Sequence, residues 1–145
     1  MGAVVVILIV LVVLVTVPFQ KASGSGTVAL QGSPSNVNEG VGWAVVNISS
    51  PGSVHIGWQV STSGPLGGIV VVAGQCTTLQ ACATSIQAGY ICVSPVYGNG
   101  SASGSCTFTI GASGTYTIVG IETSGFVAGN DLTYSYTVDG PLLTL

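Results

Sequence analysis

Two hydrophobic patterns divide the chain. Residues 2–18, GAVVVILIVLVVLVTVP, form an apolar run without a charge, whereas from Thr27 onward apolar residues alternate with Thr, Ser and Gly. A run of this length exceeds the usual four to eight residues of a strand, so it predicts a helix that ends or kinks at Pro18, with Phe19-Gln20-Lys21 leaving the apolar layer. At about 1.5 Å per residue the helix would reach roughly 25 Å, the short end of a bilayer span. Its apolar residues, among them Val4, Ile7, Leu8, Leu11, Leu14 and Val15, fall on every side, so it must be surrounded by lipid or by copies of itself. The many β-branched residues leave another use, a strand donated to a neighbouring subunit, and a helix that stays in the bilayer would instead anchor a surface or viral-envelope binding domain.

The remainder divides at Gly, Ser and Pro into short alternating runs. TVAL (27–30), GWAVVNI (42–48), VHIGWQVST (54–62), CTFTIG (106–111), GTYTIVGIETSG (114–125) and LTYSYTVDG (132–140) read as strands, and YICVSPVY (90–97) as one interrupted by Pro95. The run 54–62 places Val54, Ile56, Trp58 and Val60 on one face and His55, Gly57, Gln59 and Ser61 on the other. GIVVVAG (68–74) is apolar throughout and suits a strand covered on both faces. ASGSG after Lys21 reads as a hinge, GNGSASGS as an exposed loop tip, and CTTLQACATSIQAG (76–89) as a loop or single helical turn. The expected organisation is therefore an apolar helix or membrane span over residues 1–22, a hinge at 23–26 and an outer domain over 27–145. The expected fold is an N-terminal apolar α-helix followed by an all-β, Ig-like β-sandwich.

Charge narrows the function. Lys21 is the only basic residue, and Glu39, Glu122, Asp131 and Asp139 are the only acids, for a net charge of −3. Nucleic acid is excluded as a partner, because phosphate binding rests on clustered Lys and Arg. A surface so poor in charge lacks the usual protection against association, so either something covers it or association is its purpose. Few carboxylates also leave little stability to lose in acid, which suggests a harsh, acidic exterior.

Candidate chemistry is sparse. Cys76, Cys82, Cys92 and Cys106 are even in number and come after an apolar, export-like segment, which predicts two disulfides in one of three pairings; their spacings do not form the paired C-x-x-C of a structural zinc site. His55 is the sole histidine, too few for a blue-copper set, and no G-x-S-x-G accompanies it. Asp131, Asp139 and Glu122 lack surrounding Arg or His and read as turn-capping groups. No catalytic residue, metal or cofactor is expected, and the chain reads as a non-enzyme. Asn47-Ile48-Ser49 and Asn99-Gly100-Ser101 are glycosylation sequons, and glycan would supply the hydrophilic coat that charge does not.

MGAVVVILIVLVVLVTVPF joined directly to a Thr/Ser/Gly-rich, charge-poor domain that closes with SGTYTIVGIETSG resembles the archaeal type IV pilins, subunits of adhesive pili. The resemblance spans the whole chain and rests on architecture and composition; the fifth residue is Val5, where bacterial type IV pilins carry glutamate. It implies that Met1 comes after a removed basic leader and that the subunit waits in the membrane before assembly. Helices would then bundle with copies of this chain in a helical filament core, and the β domains would form a glycosylated, extracellular sheath that touches surfaces or other cells.

Overall fold

The computed structural model describes residues 2–32, 39–62, 66–94, 100–122 and 129–142. Helix α1 covers Gly2–Thr16. It ends where the pattern requires: Val17 N–H reaches Val13 O at 3.0 Å, and Pro18 has no N–H to continue the ladder. The helix is fifteen residues long, and among the described residues no helix is long and apolar enough to cross a membrane. The expected helix over 1–22 and its use as a span are corrected accordingly.

Beyond Pro18 the chain enters a strand at once, with no hinge. β1 runs Phe19–Ala29 and pairs antiparallel with β9 (Asp131–Gly140), so residues 23–26 lie inside a sheet. The register explains how so Gly-rich a stretch holds a strand: Gly24 and Gly26 lie opposite Tyr136 and Tyr134. A Cβ on Gly24 would come within 2.5 Å of the Tyr136 ring, and one on Gly26 within 2.7 Å of the Tyr134 hydroxyl. The glycines make room for the tyrosines, which cover the bare backbone in return.

The remaining elements are β2 (Gln31–Gly32), β3 (Gly40–Ile48), β4 (Gly52–Thr62), β5 (Leu66–Ala73), α2 (Leu79–Ala88), β6 (Cys92–Ser94), β7 (Gly100–Ile110) and β8 (Gly114–Glu122). They form a two-sheet sandwich with strand orders β1-β9-β4-β7 and β2-β3-β8-β5-β6, every pairing antiparallel. Most successive strands change sheets, and β8 and β9 lie in opposite ones. In an Ig sandwich the last two strands share a sheet. With the two-residue β2 set aside, the order is that of an eight-stranded jelly roll, which replaces the Ig-like arrangement.

The core lies between the sheets. Val54, Ile56 and Trp58 of β4 point into it with Leu132 and Val138 of β9, against Val46, Ile48, Ile69, Val71 and Ile118 of the facing sheet. β5 is covered on both sides as its composition predicts, with Val70 at 6% and Val72 at 1% exposure on the face away from this core. That face is sheltered by α2, which corrects the all-β expectation. Thr78 caps α2 by accepting from Ala81 N–H at 3.2 Å, and Gly89 ends it. The disulfide Cys76–Cys82 ties the helix to the preceding loop, and Leu79 and Ile86 pack with Val41 and Val119. Fully buried Thr117 anchors that loop, accepting from Cys76 N–H at 3.2 Å and donating to Gly74 O at 2.8 Å.

The second disulfide, Cys92–Cys106, joins β6, an edge of one sheet, to β7, an edge of the other, and so staples one side of the sandwich. The two disulfides suggest an oxidising, extracellular or secreted environment. The tip expected at GNGSASGS is partly strand, since β7 begins at Gly100. Pro95 and residues 96–99 lie outside the described residues.

Candidate functional site

Three surfaces hold the side chains that could carry function. The first is α1. Val4 to Val13 are all exposed, from 40% to 64%, while Leu14 and Val15 are half-buried. Of the residues marked by sequence, Val4, Ile7, Leu8 and Leu11 thus present their apolar surface outward. No charge lies anywhere on the helix, so no polar stripe distinguishes one side as the solvent side. Exposed apolar surfaces of this extent occur where proteins meet other proteins, membranes or ligands.

The second surface is the outer face of the β1-β9-β4-β7 sheet. β1, β9 and β7 put mostly hydroxyls on it, because each alternates an inward apolar, aromatic or glycine residue with an outward Ser or Thr, while β4 contributes His55, Gly57 and Gln59. The register stacks them in rows: Thr27, Thr133, Gln59 and Ser103 in one, Ser25, Ser135, Gly57 and Ser105 in the next, and Ser23, Thr137, His55 and Thr107 in a third. Rows along a strand repeat at about 6.8 Å and neighbours across strands at about 4.8 Å. The Thr27 and Thr133 hydroxyls bond each other at 3.2 Å. Gly57 leaves a groove of about 370 Å³ bordered by Ser25, Gln59, Ser103 and Ser135.

His55 sits on this face, 47% exposed at its side chain. Its Nδ1 is 3.0 Å from Thr107 Oγ1, and its Nε2 is 3.4 Å from Ser53 Oγ and 3.5 Å from Asp139 Oδ2, an ion pair when the ring is protonated. The Thr107 hydroxyl, the His55 imidazole and the Asp139 carboxylate thus stand in series on an exposed face of the sheet.

The third surface is an apolar cleft of about 110 Å³ where α2 meets β3 and β8, lined by Val41, Leu79, Cys82, Ile86, Val119 and Ile121. Glu39 also borders it, and it became visible only once α2 was placed, since the sequence did not show that Glu39 and the Cys76–Cys82 segment meet.

Asp131 and Asp139, the pair that flanks one strand, do not converge. They stand at opposite ends of β9, about 27 Å apart at strand rise, too far to serve one reaction. Glu122 is fully buried at the end of β8, where Asn130 Nδ2 donates to its Oε2 at 2.8 Å. Nothing in the sequence distinguished it from an exposed strand-end glutamate. Among the described residues no three metal-ligating side chains come together. Lys21 lies beside the α1 end of the sheet and donates to Pro51 O at 3.4 Å. Of the sequon asparagines, Asn47 is exposed near the end of β3, its Oδ1 accepting from Thr115 Oγ1 at 2.8 Å, and Asn99 lies outside the described residues.

No protein-family model matches the chain, and no curated protein matches it.

Proposed function

We propose that this protein is the structural subunit of an extracellular, pilus-like filament, that it polymerises by bundling α1 with the α1 of neighbouring copies, and that the sandwich forms the outer, adhesive surface. The observation that carries the reading is the exposure of Val4 to Val13 on a helix without a polar side. Fully burying one such side chain contributes about 1.5 to 3 kcal/mol. Ten residues roughly half-exposed therefore offer a gross term on the order of 10 kcal/mol per subunit, before the ordering costs of association. A contact repeated by a screw operation never closes and gives an open filament.

The subunit acts as a building part rather than an enzyme, and its low charge suits a surface that contacts other surfaces and carries glycan at Asn47 and Asn99. Val10, half exposed in the isolated chain, tests the core. Val10→Asp would bury an unpaired carboxylate at each contact. Loss of sedimentable assemblies with an unchanged β-sheet circular dichroism spectrum is expected; normal assemblies from this variant would sink the helix-core reading.

The jelly-roll order favours a second reading. That architecture also builds capsid shells, so the same helix could hold subunits in a closed shell. Particle shape separates the two.

A further inference from the structure

The two sheets treat their edges in opposite ways. Among the described residues the five-stranded sheet ends in β2, two residues long, and β6, three residues long, and short edges hinder strand addition. The four-stranded sheet ends in β1 and β7, each eleven residues long. β7 contains no charge and no proline, and its pairing with β4 runs from Gly100 to Ile110 without a register shift. β1 has one charge and one bulge, both at Lys21, and from Ala22 to Ala29 it is equally clean. Among the described residues no strand pairs with the outer side of either.

We infer that β7 of one copy pairs with β1 of the next, so that the four-stranded sheets of neighbouring subunits join into one continuous sheet. This rests on the filament reading and names its second contact. Three features select another copy of this chain as the occupant. Alternating directions across β1-β9-β4-β7 make β1 and β7 antiparallel, so a copy set beside the first in the same orientation presents β1 to β7 with the polarity a ladder needs. The strands have equal length. Each puts hydroxyls outward, Ser23, Ser25 and Thr27 on β1 and Ser103, Ser105 and Thr107 on β7, so pairing outward with outward residues extends the hydroxyl rows across the junction. The contact is heterologous and therefore propagates.

Hydrogen exchange on intact assemblies, sheared from cells without detergent, tests the contact, with β4 as the internal standard. A free edge leaves about half of a strand's amides without a partner. The expected result is β7 protection equal to that of β4; fast exchange of about half the β7 amides would overturn the inference while leaving the filament reading intact. Absence of any assembly would overturn both. A charge series gives a second readout on exposed positions. Ser25→Lys with Ser105→Lys should raise the critical concentration for assembly by roughly five-fold, and Ser25→Glu with Ser105→Lys should restore it. Equal critical concentrations for both pairs and the unaltered chain would count against the contact.

Discussion

Gly104 and Trp58 show how single residues set this sandwich. They are cross-strand partners, and a Cβ on Gly104 would enter the Trp58 ring, which is only 5% exposed and cannot swing into solvent. The row Gly26, Tyr134, Trp58, Gly104 thus places two large inner side chains between two absent ones. Gly104→Ala is expected to destabilise the domain by about 1 to 3 kcal/mol in denaturant unfolding, because the added methyl overpacks the Trp58 ring. Stability equal to that of the unaltered chain would show that the ring relaxes. The alternation that sends Val54, Ile56 and Trp58 inward and His55 outward was legible, since a period of two admits no other half-buried arrangement. The glycine–tyrosine pairing was not, because residues 24–26 acquire their meaning only from residues 134–136, more than a hundred positions away.

At the scale of elements, local signals worked where the determinants were local. α1 stops beside Pro18, and β5 is buried on both faces as its unbroken apolar run requires. α2 was read only as a loop or a single helical turn, although Leu79, Cys82, Ala83 and Ile86 recur at helical spacing; its other markers were Thr78 before it and Gly89 after it, the usual start and stop residues. Disulfide pairing was equally out of reach, since four cysteines permit three connectivities. The two bridges make a graded prediction. Cys92–Cys106 spans 14 positions and Cys76–Cys82 spans 6. In the chain-entropy account, replacing the first pair by serine should cost about 3 kcal/mol and the second about 2. Denaturant midpoints of the two double variants would check the order, and a larger loss from the shorter loop would mean that fixing α2 matters more than closing the chain.

For the whole molecule, the jelly-roll order was beyond sequence reading, because strands of similar Thr, Ser and Val composition do not announce which sheet they join. Charge scarcity was legible and has a global consequence. With four acidic side chains in 145 residues, few groups can take up protons in acid, so the melting temperature should change little between about pH 6 and about pH 2. A steep fall over that range would contradict the acid-tolerant reading. In the proposed filament, the exposed α1 and the long edges of the four-stranded sheet would both contact copies of the chain. The most direct test of that claim is electron microscopy of detergent-free material sheared from cells producing the full chain. The account predicts open filaments with a narrow core of helical density sheathed by sandwiches. Closed shells, or dispersed single subunits, would contradict it.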